Sequence, residues 1–311
     1  MLRRPFLGGG PFPPGSALGK RDGSLVQEPR YVSHASLLAL RGARGLRAHL
    51  DGLWCAGTPE ALRRPSVAVV GTRSATPYGR RLATSFAREL AKAGCCIVSG
   101  LALGIDGCAH EGALEAGEPT IGVLGSGHRH FFPPRNLPLA RRMLEGGGAV
   151  LSPFPPDQAA KPGQFLQRNG VVAALCDAVL VVEAPARSGA LNTAGWAAGR
   201  VPVLAVPGDV DRRHSAGCLA LIRDGATLAR TPGDVLEALG LGASAPALAQ
   251  PERNATPLAR RILALLDSGE CALDDIVEGC DAPTPDVLAA LTMLELDGRI
   301  ACRGPARYAR R

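Results

Sequence analysis

Long apolar runs are missing from this chain of 311 residues. No uninterrupted stretch reaches the ~18 apolar residues that a membrane-spanning helix needs, so we predict no membrane partner. The N-terminus starts with a basic pair, Arg3 and Arg4, but Gly8–Gly10 and several prolines follow and break any hydrophobic segment of a secretory signal. We therefore expect a cytoplasmic protein in which residues 1–23 form a flexible tail.

Cysteine pairs at metal-binding spacing are also missing. The nine cysteines include no CxxC pair and none with a histidine at the spacing of a zinc site. Cys95 and Cys96 lie in an apolar run and are interpreted as two buried thiols of one strand. Thiols of this kind are typical of a reduced cytosolic protein, so neither a metal site nor a disulfide framework is predicted.

The signatures of several common enzyme classes are missing too. A dinucleotide dehydrogenase carries G-x-G-x-x-G after its first strand, but the corresponding turn here, GTRSATPYG (71–79), lacks the second glycine. Neither the GxxxxGK[ST] loop of a Walker A ATPase nor the G-x-S-x-G elbow of a serine hydrolase occurs. Asp106 and His110 share one helix face, but a helix cap and a hydrogen bond to a loop explain them better than acid–base catalysis. We predict no enzymatic activity, no catalytic residue and no cofactor.

Short β-branched or apolar runs alternate with helical stretches from residue 66 onward. The predicted strands are 66–71, 95–100, 120–125, 149–154, 178–184 and 201–206, and the predicted helices include 78–93, 104–117, 136–145, 165–176 and 189–199. Continuously apolar strands separated by helices are typical of a parallel sheet that is covered on both faces. The pattern predicts an α/β fold with an extended, Rossmann-like, doubly wound and mostly parallel sheet over residues 65–240.

Composition divides the rest of the chain. Residues 24–64 are predicted to be a reduced, partly helical N-terminal segment, and the Ala- and Pro-rich residues 241–256 a linker. Residues 257–311 combine three helices with two wing strands near 299–303 and 307–310, which is typical of a small winged-helix domain. From residue 256 onward the chain carries seven basic and nine acidic residues, and its third helix has no Lys or Arg. We therefore predict a protein-interaction or regulatory module, and the basic wing leaves a weak auxiliary DNA contact open.

Glycines and small hydroxyl residues follow the predicted strands. Because the carboxyl ends of parallel strands share one edge of a sheet, these turns should lie together, with backbone N–H groups and helix N-termini pointing outward. Such small residues let a phosphate approach the backbone closely, and an arginine adds a charge-assisted contact. The edge therefore predicts a site for a phosphate-bearing ligand that includes Gly71, Thr72, Arg73, Ser99, Gly100, Gly125, Gly127, Ser188 and Gly189.

The segment from Val67 to about Gly225 resembles the DNA-processing protein A family (DprA, also called Smf). The matching blocks occur in order: VAVVGTRSATPYG (67–79), SGLALGIDGCAH (99–110), IGVLGSG (121–127), FPPRN (132–136), SPFPP (152–156), FLQRN (165–169), DAVLVVEAPARSGALNTA (177–194), AVPGD (205–209) and LIRDGA (221–226). The resemblance implies an extended Rossmann fold that forms a homodimer, binds single-stranded DNA and loads the RecA recombinase during natural transformation.

The resemblance also implies a DNA pocket. Its positions here are Gly71, Thr72, Arg73, Ser99, Gly100, Leu101, Lys161 and Phe165, with Arg168 and Asn169 behind them. Arginine and lysine neutralise phosphates, and a loop aromatic stacks on a base. This chain departs from the family at three positions. Leu103 and Gly170 stand where the family usually carries an arginine, and Leu219 stands where it usually carries an asparagine.

Two other functions stay open at this point. A related Rossmann-like superfamily includes nucleoside-monophosphate phosphoribohydrolases with a PGGxGTxxE signature. The equivalent loop here has Ser188 and Gly189 but lacks the paired glycines, and Thr193 or Ala194 stands where the catalytic glutamate is expected. The second alternative is a nucleotide-binding regulator that holds a free nucleotide in the same cleft.

Overall fold

The computed structural model describes residues 27–241, 256–267, 269–296, 300–304 and 306–310. The chain divides into two compact units, residues 1–247 and 248–311. The predicted tail, nearly all of the predicted linker and Arg299 of the predicted wing lie outside the described residues. The domain boundaries given above stay predictions.

Nine strands form one sheet in the first unit. They are β1 (Arg30–Ser33), β2 (Gly52–Gly57), β3 (Ser66–Val70), β4 (Cys96–Ser99), β5 (Thr120–Val123), β6 (Ala149–Ser152), β7 (Ala178–Val181), β8 (Val203–Ala205) and β9 (Thr227–Leu228). Their order is β1-β2-β6-β5-β4-β3-β7-β8-β9. The strands from β3 to β9 pair in parallel, whereas β1 and β2 join antiparallel beyond β6. The predicted extended, mostly parallel sheet is confirmed.

Helices cover both faces of this sheet. They are α1 (His34–Arg41), α2 (Pro77–Lys92), α3 (Ile105–Glu115), α4 (Leu137–Glu145), α5 (Pro162–Ala174), α6 (Gly189–Ala197), α7 (Ala216–Arg223) and α8 (Pro232–Ala238). Helix α2 packs beside α3, and α5 packs on α6. Because crossovers between parallel strands are right-handed as a rule, the reversal of the strand order at β3 puts the first pair on one face and the second pair on the other. The central strands β3 to β7 are therefore buried along their whole length.

The direction of strand addition reverses at β3. From β3 the chain adds β4, β5 and β6 on one side and then returns to add β7, β8 and β9 on the other. Ala68 of β3 lies in register with Val98 of β4 and Val179 of β7. A reversal of this kind opens a crevice at the carboxyl ends of the adjacent strands. The turns after β3, β4 and β7 therefore meet at one crevice.

The residues before 65 contribute two strands as well as a helix, whereas the sequence pattern indicated only the helix. Strand β2 pairs with β6, so that Trp54 lies opposite Ser152. Arg41 of α1 is fully buried, and its guanidinium donates hydrogen bonds to Asp177 at 2.6 Å and to the hydroxyl of Ser66 at 2.9 Å. These contacts hold α1 against the N-terminal ends of β3 and β7.

The second unit is a small helical domain with one sheet. It contains α9 (Pro257–Leu266), β10 (Cys271–Ala272), α10 (Leu273–Cys280), α11 (Thr284–Leu296), β11 (Ile300–Gly304) and β12 (Arg307–Arg310), with the strands in the order β10-β12-β11. Ile262, Ile276, Val287 and Leu291 lie at the centre of its core. This arrangement confirms the predicted winged-helix fold. Across both units, no described helix has the length and apolarity to cross a membrane.

Candidate functional site

A pocket of about 340 Å³ lies in the crevice at the carboxyl ends of β3, β4 and β7. The turns after these strands and one face of α5 line it. Nine of the residues predicted for the site are among its lining: Gly71, Thr72, Arg73, Gly100, Phe165, Arg168, Asn169, Ser188 and Gly189. The fold thus brings together residues that come from widely separated parts of the sequence.

Helix α5 supplies the pocket wall that faces the strand ends. Phe165, Arg168, Asn169 and Val172 all line the pocket, and their spacing of three, four and seven residues places them on one helix face. The side-chain amide of Asn169 donates a hydrogen bond to the carbonyl oxygen of Gly189 at 3.1 Å. This bond ties α5 to the first residue of α6, so that the wall and the turn after β7 keep a fixed separation.

Phe165 is half-buried and is contacted from two sides. The guanidinium carbon of Arg73 lies 5.3 Å from the ring centroid, within cation–π range. The ring of Phe132 lies 5.7 Å away and is inclined by 59°. Gly125 makes room for the ring, because a Cβ at this position would lie 2.6 Å from Cδ1 of Phe165. Gly125 therefore supports the aromatic ring and does not itself line the pocket.

Arg168 lines the pocket, but its charge is turned inward. The residue is 4% exposed, and its guanidinium donates hydrogen bonds to the carbonyl oxygens of Gly100 and Val123, the latter at 2.5 Å. Burial lowers the pKa of Arg168 to about 10, although the charge of Asp106 opposes this shift. The guanidinium of Arg168 thus links the ends of β4 and β5. In this position it cannot make the phosphate contact that was expected from the sequence.

Backbone N–H groups at the predicted phosphate site already form hydrogen bonds within the protein. The side chain of Asp106 accepts hydrogen bonds from the N–H groups of Gly100 at 3.1 Å and Ala102 at 3.4 Å. The N–H of Thr72 donates to the carbonyl oxygen of Glu183 at 2.7 Å. Burial raises the pKa of Asp106, while Arg168 and the amides favour its charged form. At Thr72 and Gly100, the two predicted site residues among these, the backbone N–H is therefore not free for a phosphate in this structure.

Two family models match this chain. The family model for DNA recombination-mediator protein A matches residues 42–240, and the model for the DprA winged helix domain matches residues 244–304. The chain belongs to the DNA recombination-mediator protein A family. The resemblance seen in the sequence blocks is thereby confirmed.

Relatives and solved structures of the DprA family cover most of the chain. A Mycobacterium tuberculosis relative is 38% identical over 93% of this chain and 82% of its own length, and protein Smf of Escherichia coli is 38% identical over 83% and 71%. The structure of DNA processing protein A from Streptococcus pneumoniae superimposes with a TM-score of 0.61 at 33% identity, over 68% of this chain and 74% of that one. The Helicobacter pylori protein, whose structure addresses its single-stranded DNA binding mode, gives a TM-score of 0.58 at 31% identity, over 66% and 92%.

Two residues of the implied DprA pocket lie in the core. Ser99 and Leu101 are both 0% exposed. The hydroxyl of Ser99 donates to the carbonyl oxygen of Val69 at 2.6 Å, which joins β4 to β3. Leu101 adopts a positive φ of 55°, and its side chain packs with Leu124 and Met143. These residues shape the turn after β4, but their side chains do not reach the pocket.

Two more predicted residues lie outside the pocket lining. Lys161 is exposed one turn before Phe165, and its side chain is not part of the wall. Gly127 allows two loops to approach, because a Cβ there would lie 2.2 Å from the carbonyl oxygen of Pro155. Neither residue contributes to the lining of this pocket, so their assignment to the site stays a prediction.

Two side chains at this site are not among the residues predicted from the sequence. Arg187 lines the pocket, is exposed, and makes neither a hydrogen bond nor an ion pair with the other described residues. Its position directly before Ser188 and Gly189 was the signal that could have found it. Phe132 packs against Phe165 from the FPPRN block, where an aromatic before a proline was the available signal.

Asp106 and His110 do not form an acid–base pair. His110 is 0% exposed, and its Nδ1 lies 2.9 Å from the hydroxyl oxygen of Thr120. Because that hydroxyl donates its own proton to the carbonyl oxygen of Ile97, Nδ1 must be the donor. Burial lowers the pKa of His110 to about 3. The imidazole is thus neutral and structural, as the sequence analysis preferred.

Proposed function

We propose that the protein binds single-stranded DNA in this pocket without covalent chemistry. The observation that carries the proposal is the exposed guanidinium of Arg73 beside the ring of Phe165, at 5.3 Å. A base stacked on an aromatic ring next to an arginine-bound phosphate is the combination that single-strand-binding proteins use, and each stacked base contributes ~1–3 kcal/mol. Arg187 adds a second exposed cation to the same pocket.

The shape of the pocket favours a single strand over a duplex. Phe165 lies within a crevice of about 340 Å³ and is only partly accessible. A base inside a duplex is stacked on both faces, and bringing it to this ring requires extrusion that costs a few kcal/mol. An unpaired strand offers its bases without that cost.

The carboxylates near the pocket are committed to structural contacts. Asp106 is held by the amides of the turn after β4. Glu183 accepts hydrogen bonds from the N–H of Thr76 at 2.9 Å and from its hydroxyl at 2.7 Å. Thr193 and Ala194, the two candidate positions for the glutamate of a phosphoribohydrolase, are both buried, and Thr193 lines the pocket. We therefore propose a binding protein with no enzymatic activity and no cofactor, in preference to a phosphoribohydrolase-like enzyme.

We further propose that bound strands are passed to the RecA recombinase by a cytoplasmic homodimer during natural transformation. The support is membership in a family described as recombination mediators, together with the sequence blocks shared with DprA. The winged-helix unit is proposed as a protein-interaction module. The described side chains of α11 include the acidic Asp286 and Glu295, and the sequence places no Lys or Arg in that helix.

The deciding experiment measures fluorescence anisotropy of a labelled oligothymidylate and of a matched duplex across a salt series. We expect tighter binding of the single strand, with an affinity that falls linearly on a log–log salt plot. Parallel incubations with nucleoside monophosphates test the enzyme, and competition by a free nucleotide tests the nucleotide-binding regulator. Absence of oligonucleotide binding at low salt, combined with turnover of a nucleotide, would overturn the proposal.

A further inference from the structure

A second basic pocket adjoins the first and shares Arg73 with it. Its volume is about 630 Å³, and it is lined by the turn after β3, the first turns of α3 and the segment that leads into α4. Its charged lining consists of four arginines and one glutamate, namely Arg73, Arg80, Arg135, Arg142 and Glu111. We name this pocket the arginine groove.

The positive charge of the arginine groove is only partly neutralised. All four arginines are exposed. Glu111 pairs with Arg142, and Nε of Arg80 donates to the carbonyl oxygen of Ala75 at 3.2 Å, which leaves its charge uncompensated. Arg135 forms no ion pair within the described part of the chain. A concave surface with this excess of guanidinium groups attracts a polyanion.

The loop between β5 and α4 links the two pockets. The side-chain amide of Asn136 donates hydrogen bonds to the carbonyl oxygens of Leu101 and Ala102, both at 2.9 Å. These bonds tie the loop to the turn after β4 and so hold Arg135 at the groove. The same loop carries Phe132, whose ring lies 5.7 Å from that of Phe165. One anchored loop therefore bears an aromatic next to the first pocket and a cation in the second.

We propose that the arginine groove binds the sugar-phosphate backbone of the same strand whose base occupies the first pocket, with Phe132 stacking on the adjacent base. The inference rests on the proposed function and extends it. The lining of the groove contains arginines but no aromatic residue, so it takes phosphates and not bases. Arg73 lies in both linings and makes the path continuous. The ligand is therefore a strand of several nucleotides and not a mononucleotide.

The test compares two oligothymidylates, of about four and about fifteen nucleotides, by anisotropy across a salt series. The variant is Arg80→Ala/Arg135→Ala, and the matched control is Arg88→Ala/Arg200→Ala, which removes the same charge outside both pockets. The single variant Arg135→Ala is measured too, because this exposed side chain makes no hydrogen bond to a described residue and its loss leaves the fold intact.

For the groove double variant we expect at least a ten-fold loss of affinity for the long strand relative to the control, and a salt slope smaller by about 1.4, corresponding to two phosphates. Affinity for the short strand should stay within two-fold of the control. Equal losses for both strand lengths, or long-strand affinity equal to that of the control, would overturn the inference and leave the proposed function standing. A wild-type protein that binds neither strand would overturn the proposed function itself.

Discussion

Arg41 and Asp177 form a buried ion pair at 2.6 Å across 136 positions of the sequence. Arg47 and Arg44 approach the same carboxylate at 2.8 and 3.7 Å. Burial alone would raise the pKa of Asp177, but the hydrogen bonds from Arg41 and from the Ser66 N–H lower it. One carboxylate thus holds three guanidinium groups of the N-terminal segment against the start of β7.

Replacement of Asp177 by asparagine should destabilise the first unit strongly. The substitution keeps the shape but leaves the fully buried Arg41 without a counter-charge, and breaking a buried pair in this way costs about 3–5 kcal/mol. Denaturant unfolding measures the loss. Asp51→Asn, which removes an exposed carboxylate of the same segment, is the control and should change the free energy of unfolding little. Equal stability of the two variants would show that this ion pair does not anchor the segment.

Stability should fall below about pH 6.5, in part because of His110. Its pKa is about 6.5 in the unfolded chain and is lowered to about 3 in the folded protein. Between these two pH values the imidazole is therefore protonated in the unfolded chain but not in the folded protein. The contribution lost between pH 6.5 and 5 is about 2 kcal/mol. In His110→Asn the side-chain amide can still donate to Thr120 but does not titrate. Denaturant unfolding at pH 7 and pH 5 should therefore show a smaller pH dependence in this variant than in the wild type.

Asp177 adds a second acid-sensitive contribution at lower pH. Its folded pKa is lowered, so its stabilising effect is complete above the unfolded pKa of about 3.9 and is lost as the pH falls through the folded pKa. The difference in unfolding free energy between wild type and Asp177→Asn should therefore shrink below pH 4. A difference that is constant from pH 7 to pH 2 would contradict the charged state assigned to this carboxylate.

Arg73 and Phe165 should contribute to strand binding in distinguishable ways. Arg73→Ala removes a phosphate contact, so affinity should fall by about 1–3 kcal/mol and the salt slope by about 0.7. Phe165→Leu removes the aromatic face and should cost ~1–3 kcal/mol with an unchanged slope. Phe165→Tyr keeps the ring and is the control. If both Arg73→Ala and Phe165→Leu left the affinity and the salt slope unchanged, the strand would not bind in this pocket.

Lys161→Ala should have a smaller effect than Arg73→Ala. Lys161 is exposed but lies outside the pocket lining, so its contribution is limited to long-range attraction that salt screens. Anisotropy titrations of both variants at low and high salt provide the comparison. An affinity loss for Lys161→Ala as large as that for Arg73→Ala would mean that the strand passes over the start of α5.

Gly125→Ala should weaken binding without any change of charge. The added Cβ would lie 2.6 Å from Cδ1 of Phe165, so the ring must move from its place between Arg73 and Phe132. Affinity for a single strand should fall several-fold while the salt slope is retained. Gly163→Ala, on the same helix as Phe165 but with open space around it, is the control. Equal affinities of the two variants would show that ring position does not matter.

Removal of residues 241–311 should leave strand binding nearly intact. Both pockets are built entirely from the first unit. The deleted part also carries an acidic excess from residue 256 onward, which does not attract phosphates. Anisotropy with the truncated protein checks the expectation. A ten-fold or greater loss would assign part of the DNA contact to the winged-helix unit.

The sequence predicted the sheet well where the local pattern is strong. The apolar runs of β3 to β7 are buried on both faces and therefore lack polar alternation, which makes them recognisable from the local sequence alone. Strands β1 and β2 were missed because their place in the sheet depends on pairing: β1 pairs with β2, and β2 pairs with β6, about a hundred residues later. Long-range pairing of this kind leaves little local signal.

The candidate site was predictable as a set of loops but not as a set of contacts. Arg168 and Arg73 are both arginines in shared blocks, yet one is buried and the other is exposed. That difference comes from the position of Arg168 three residues after Phe165 on α5, facing the ends of β4 and β5. Asp106 was interpreted as a helix cap, and only the folded turn shows that it binds the amides of the preceding loop.

The carboxyl group of Asp106 occupies the backbone N–H groups of the turn after β4. These N–H groups are therefore not free to bind inorganic phosphate or the other small anions of a cell. The other groups that can attract a nucleic acid are separate guanidinium groups and aromatic rings. A small molecule is too short to contact several of them at the same time. A strand bound as proposed would contact several of them at the same time and gain from their effective concentration. We therefore expect the crevice to favour a strand of several nucleotides over a single phosphate, because the N–H groups of this turn are already engaged.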